Sequence, residues 1–325
     1  MKIVRVLALP VLLLAFLAVR LWLPYRGFPG EVYVEIPRGT STSGMADLLA
    51  GAGAVRSRWD FLAARLVKGD HVLQAGEYRF SRAATPFEVY DRIARGDIFY
   101  YELVVPEGKN MFDIAAAAEQ LGLFPAAQFL SAARNPSLIH DLDPEAPTLE
   151  GYLFPNTYRL GRHTTPEHLC QTMTAKFREV WRSLSTRARV HDTLTMASLV
   201  EKEGKLAEER PRIAAVFENR LRIGMKLDCD PTTIYAALLA DRYRGTIYRS
   251  DLESESPYNT YRHTGLPPGP IANPGLPSIR AVLDPSRSDE LYFVARPDGS
   301  GGHQFSTNIA DHQAATERYR RGLHK

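Results

Sequence analysis

Fourteen consecutive apolar residues, Val6 to Val19, follow the basic start Met1-Lys2-Ile3-Val4-Arg5 and restrict where this chain can fold. A membrane-crossing helix needs about 20 residues. Val6 to Leu23 comes close to that length if Arg20 extends its guanidinium to the interface. Trp22 and Tyr25 then lie where headgroup-level aromatics sit. A cleaved leader shares the basic start and apolar middle. Here no A-x-A site follows and no cysteine offers a lipobox, so residues 1–25 read as an uncleaved anchor. Arg20 and Arg26 partly offset Lys2 and Arg5 in setting its orientation. With either an anchor or a leader the remainder is exported, and the expected location is a single-pass protein of the cytoplasmic membrane with its folded part outside. Only Pro24 to Gly30 separate the apolar stretch from the first strand, a reach of roughly 20 Å if extended.

The 325 residues leave room for two domains beyond such an anchor. Forty basic and 37 acidic residues give a net charge of +3, and no basic cluster marks a nucleic-acid face. Cys170 and Cys229 are far apart and pair only if the fold brings them together. No CxxC, HExxH, P-loop, dinucleotide fingerprint or G-x-S-x-G elbow is present, so neither a metal nor another cofactor is expected. His263, His303, Asp311 and His312 lack metal-ligand spacing.

Local signals are clear after residue 30. Glu31 to Ile36 alternates as a strand, Met45 to Ala52 reads as a helix, and Gly76 to Phe80 as a returning strand. Ser57 to Asp60 has capping-box spacing, and Thr85-Pro86-Phe87-Glu88 opens another helix that Gly96 closes. The order then repeats. Pro106-Glu107-Gly108 matches Pro37-Arg38-Gly39 at an offset of 69, while Tyr158-Arg159 and Thr165-Pro166 match Tyr78-Arg79 and Thr85-Pro86 at 80. The second β-α-α-β unit therefore carries an insertion, which contains Leu142 to Phe154. Helices are expected from Cys170 to about Tyr243, then a proline- and glycine-rich loop, a buried strand at Leu291 to Ala295, a hairpin partner at Gln304 to Ser306 and a last helix from Asn308.

One residue breaks the patterning. At about 100° per residue, Met196, Leu199, Val200 and Glu203 share one stripe, with Ser198 and Lys202 opposite and Glu201 on the flank. A carboxylate on an apolar stripe, in the last turn of a helix before Gly204, has its pKa raised by desolvation and by the negative end of the helix dipole. That property suits a general acid for a glycosidic oxygen. Glu203→Gln is expected to abolish cleavage with little loss of folding, and Glu201→Gln to be much milder. Arg220 lies in the apolar stripe of the next helix and is expected to pair with Glu209, Asp228 or Asp230. In the loop Ser256 to Gly275, Tyr258, Asn259 and Tyr261 offer aromatic faces and amides suited to sugars, and His303 is the best remaining functional histidine.

Four strings carry a resemblance: Glu150-Gly151-Tyr152-Leu153-Phe154-Pro155-Asn156-Thr157-Tyr158; Met196 to Glu203; Phe217 to Thr232; and Tyr258 to Gly275. The closing Gly301-Gly302-His303-Gln304-Phe305-Ser306-Thr307-Asn308 agrees with them. Together they resemble the endolytic murein transglycosylase, or YceG-like, family. The resemblance implies an α+β protein with a membrane helix, a LysM-like subdomain over 26–100 and a larger mixed α+β catalytic domain over 101–325. It implies that Glu203 is catalytic, and that Glu150, Tyr152, Asn219, Asp230 and Thr232 join Tyr258, Asn259, Tyr261 and His303 in binding substrate. The implied reaction cuts the MurNAc–GlcNAc bond of nascent peptidoglycan, leaving 1,6-anhydro-MurNAc ends and terminating strand elongation, beside glycan-polymerising synthases such as penicillin-binding proteins. Cys229 departs from the family, which tends to carry a polar residue such as threonine there, and is expected to change little. Two other functions remain open: a non-catalytic peptidoglycan-binding scaffold, and a two-carboxylate murein hydrolase with Glu150, Glu218 or Asp230 as its second acid.

Overall fold

The computed structural model describes residues 18–322. Most of the expected anchor lies outside these residues, and among the described residues no helix is long and apolar enough to cross a membrane. The chain divides into two compact units, the first ending at Tyr101 and the second beginning at Glu102. Both are mixtures of helices and small sheets.

In the first unit, β1 (Val32–Ile36) and β2 (Gly76–Phe80) pair antiparallel, from Val32 opposite Phe80 to Ile36 opposite Gly76. Between them run α1 (Thr42–Gly51) and α2 (Arg58–Lys68), and α3 (Pro86–Arg95) follows. Ile36, Leu49, Phe61, Tyr78, Tyr90 and Ile93 form the core. The punctuation acts as written in the sequence. Asp60 accepts from the Ser57 N–H, Thr85 and Glu88 cap each other's backbone, and Gly96 ends α3 with φ +68°. Pro24 to Gly30 is not an extended tether. Tyr25 bridges Ala84, Phe28 is buried, and Arg26 donates to the carbonyls of Phe28 and Gly30.

The same order recurs in β3 (Tyr101–Val105), α4 (Met111–Gln120), α5 (Ala126–Ala133), β4 (Asn156–Leu160) and α6 (Pro166–Ser183), with β3 paired to β4. Residues at an offset of 80 make the same contacts. The Tyr78 hydroxyl donates to the Gln74 carbonyl, and the Tyr158 hydroxyl to the Phe154 carbonyl. Thr85 and Thr165 each cap the N–H three residues on, ahead of a proline at the start of the helix. Such paired detail is what a duplicated unit leaves behind.

The rest of the second unit holds α7 (Val190–Glu203), α8 (Arg210–Arg222), α9 (Asp230–Leu239), the short α10 (Arg249–Leu252), α11 (Leu276–Leu283), the antiparallel hairpin β5 (Tyr292–Ala295) and β6 (His303–Ser306), and α12 (Ile309–Gly322). The hairpin strand β5 is half-buried throughout, not buried as expected, because all four of its residues line a cavity. The helical wheel also needs correcting. The helix α7 is buried on nearly all sides, and Ser198, placed opposite the stripe, is fully enclosed. Its hydroxyl donates to Thr195 and accepts from the Ile271 N–H, so a short polar side chain survives in the core by bonding to backbone.

Candidate active site

The helix α7 ends at Glu203, and Arg210 secures that last turn. The Arg210 guanidinium donates to the Gly204 carbonyl (3.2 Å) and pairs with Glu201 (2.9 Å). Glu201 accepts a further bond from the Gly275 N–H (2.9 Å), tying the end of the long loop to α7. The Glu201 side chain is only 4% exposed, so Glu201 is a buried strut at the end of the helix.

Glu203 has a different environment. Its carboxyl opens into a cavity of about 570 Å³, where Asp228, Asp230, Arg220, Tyr261, Tyr292 and His303 are among the lining residues. The Cys229 thiol donates to Glu203 Oε1 at 3.2 Å. Burial pushes the Glu203 pKa up, and the charge of Asp230 adds to this, while the Cys229 hydrogen bond, His303 and Arg220 oppose it. Burial, the largest cause, sets the upward direction, and Arg220 is committed elsewhere. Arg220 donates to the carbonyls of Leu291 (2.6 Å), Lys226 (3.2 Å) and Leu227 (2.9 Å), with Asp228 at 3.7 Å. It thus staples β5 to the turn before α9. In that turn Asp228 has φ +48°, an unusual conformation for a side chain with a Cβ, held by Arg220 and by the bond from its N–H to Thr260 O (3.4 Å).

His303 is held by Glu209, which accepts from both the His303 N–H (3.0 Å) and Nδ1 (2.8 Å). In the neutral ring the proton therefore sits on Nδ1 and Nε2 keeps its lone pair. Asp230 accepts from the Tyr261 hydroxyl at 2.7 Å. Among the described residues no three His, Cys, Asp or Glu side chains are grouped so as to hold a metal ion.

Of the residues singled out from sequence, Glu203, Asp230, Tyr261 and His303 therefore meet at one cavity. The other six do not line it. Glu150 is fully buried, accepting from the Met111 N–H (2.9 Å) and Asn273 Nδ2 (2.8 Å), and burial pushes its pKa up to about 8. Tyr152 donates to the buried Asp143. Asn219 donates to the carbonyls of Ser288 and Glu290, and Thr232 to that of Cys229. Asn259 donates to the carbonyls of Leu252 and Ser254, and Tyr258 packs against Tyr235. These side chains pack into the walls around the cavity, and those of Glu150, Tyr152, Asn219, Thr232 and Asn259 are tied up in hydrogen bonds. The long loop is likewise mostly structural. Asn273 accepts from the N–H groups of Gly151 and Leu153 and donates to Lys109 O, joining three segments.

Sequence reading passed over Cys229, Asp228, Tyr292 and His312 as parts of this cavity. Cys229 and Asp228 could have been found from their place in the Leu227-Asp228-Cys229-Asp230 run, directly before a helix start. Cys229 and Cys170 are both free thiols.

The pattern of the YceG-like family matches residues 34–318. A Bacillus subtilis protein named endolytic murein transglycosylase is 34% identical over 309 residues, covering 89% of this chain and 84% of that protein. A Streptococcus pneumoniae protein of the same name is 32% identical, covering 86% of this chain, which spans 57% of that longer protein. A crystal structure of a yceG-like protein from Listeria monocytogenes superposes with a TM-score of 0.56 at 32% identity, covering 88% of this chain and 99% of the other. A family pattern over most of the chain, with relatives above 30% identity along the same length, makes this protein a member of the YceG-like family.

Proposed function

We propose that this chain is a lytic transglycosylase that cuts peptidoglycan glycan strands internally at the MurNAc–GlcNAc bond. The observation that carries the reading is Glu203, a half-buried glutamate whose pKa is raised chiefly by burial and whose carboxyl faces an open cavity. Glu203 gives its proton to the glycosidic oxygen as the bond from that oxygen to MurNAc C1 breaks. The MurNAc C6 hydroxyl then loses its proton to the same carboxylate, and its oxygen forms the new bond to C1. The products are a 1,6-anhydro end and a free GlcNAc hydroxyl, with no water consumed. Tyr261 offers an aromatic ring to a sugar, while Asp230 and His303 offer hydrogen-bond partners.

The apolar Val6 to Val19 supports an anchor in the cytoplasmic membrane, with the folded units outside, near glycan-polymerising synthases. The β-α-α-β order of the first unit supports a LysM-like role in holding glycan. The names of the Bacillus and Streptococcus relatives support the same activity. Asp230, in the same cavity, keeps a two-carboxylate hydrolase as the competing reading. Mass spectrometry of purified sacculi digested by the protein decides. Internal 1,6-anhydro ends are expected, and new reducing ends in their place would select the hydrolase. Absence of cleavage would leave only a binding role.

A further inference from the structure

The helix α2 is apolar on two sides. Phe61 and Ala64 face the core, with Leu62 and Ala63 packed against its edges, yet Trp59, Leu66 and Val67 form a second, exposed face centred well away from it at about 100° per residue. Trp59 is 68% exposed, Leu66 86% and Val67 67%, and Val72 just beyond is 85% exposed. A soluble surface gains nothing from such a run, which marks a place where something apolar docks. Three observations say what. First, the segment that leaves the Val6 to Val19 run is bound to this same helix and its neighbour, because Arg20 pairs with Asp60 at 2.8 Å and Trp22 packs on Phe87 of α3. Second, Trp22 and Leu23 are themselves exposed, by 74% and 48%. Third, basic groups flank the stripe, two of them in exposed ion pairs that water screens, Arg58 with Asp47 and Lys68 with Asp91, while Arg56 donates to carbonyls. The Arg58 guanidinium lies over the Trp59 ring, Arg56 lies over Tyr25, and Lys68 ends the helix.

We propose that the outer face of α2 lies in the headgroup layer of the bilayer that the N-terminal run crosses, with Trp59, Leu66, Val67 and Val72 dipping toward the acyl boundary and the arginines at the phosphates. An 11-residue helix with an apolar face, an interfacial tryptophan and flanking cations has the chemistry of an in-plane membrane contact. With Pro24 to Gly30 folded onto the first unit, no free linker holds that unit off the surface. The proposal rests on the anchor reading and adds to it a fixed, lipid-seated pose for the first unit.

The test uses the full chain reconstituted into vesicles of phosphatidylethanolamine and phosphatidylglycerol, with and without lipids brominated near the headgroup end of the acyl chain. The difference in fluorescence between wild type and Trp59→Phe isolates Trp59. Blue-shifted emission quenched by the brominated lipid is expected, while the chain floats with the vesicles. Flotation with Trp59 emitting as in water overturns the stripe and leaves the anchor. Blue-shifted but unquenched emission means that protein covers the stripe, either residues 1–17 or a second copy, and also overturns it. A chain that does not float overturns both readings.

Discussion

The same chemical change made two residues apart on one helix should have opposite consequences. Glu201→Gln removes the charge from a carboxylate 4% exposed and paired with Arg210, itself 11% exposed. Breaking a buried pair by neutralising one partner costs about 3–5 kcal/mol. The glutamine oxygen still accepts from either Arg210 or the Gly275 N–H, which sets the cost at the low end, about 3 kcal/mol. Arg210 also keeps Glu107 at 3.6 Å and the Gly204 carbonyl. For a unit the size of residues 102–325 that is a fall in Tm of roughly 6–12 °C. Glu203→Gln should do the reverse. Its carboxyl is raised by burial, so ionising it costs stability, and that penalty grows as pH rises from the usual carboxylate range through the folded value. The amide cannot ionise, so this variant should melt no lower than wild type at pH 8. Its cleavage should fall by about 10²–10⁴-fold, about 3–5 kcal/mol of barrier. Differential scanning calorimetry gives the stabilities, and anhydro-end counting by mass spectrometry gives the activity. If Glu201→Gln melted with wild type, or Glu203→Gln kept its activity, the division into strut and acid would be refuted.

Cys229→Ala removes a hydrogen bond that holds the Glu203 pKa down, so the alkaline limb of the pH–rate profile should move to higher pH. Cys229→Ser, which restores a donor, should bring it back, and equal profiles for all three would show that the thiol does not matter. Protonated Glu150 contributes stability that is complete below its usual 4.5 and lost as pH rises through about 8. Glu150→Gln should therefore flatten the pH dependence of unfolding over that interval while lowering stability by about 1–3 kcal/mol, because its amide N–H meets the Met111 donor. Urea titrations across pH test this, and an unchanged slope counts against a titrating Glu150. Treatment with EDTA should leave cleavage unchanged, and a loss that zinc restores would revive a role for His263, His303 and His312.

Much of this fold was readable from local chemistry. Caps such as Asp60, Thr85 and Thr165 bond to backbone three residues away, so their geometry is set by neighbours in sequence. The duplicated β-α-α-β unit was visible for the same reason, since Tyr78 and Tyr158 each bond four residues back. Glu203 was also legible, because a charge on an apolar stripe conflicts with helical periodicity wherever the helix is placed. What the chain alone left open depends on partners remote in sequence. The helical wheel sets Glu201 apart from Glu203, but only its bonds to Arg210 and Gly275 show that Glu201 is a buried strut, and only the tertiary fold puts Cys229 against Glu203. Glu150 and Asp230 were equal as substrate contacts until Asn273, 123 positions along, enclosed the first, while the second opened onto the cavity. Side-chain burial is a sum over the whole fold, and hydrogen bonds across such separations leave no periodic trace, so tertiary structure alone could sort the polar residues that face a substrate from those that hold the walls.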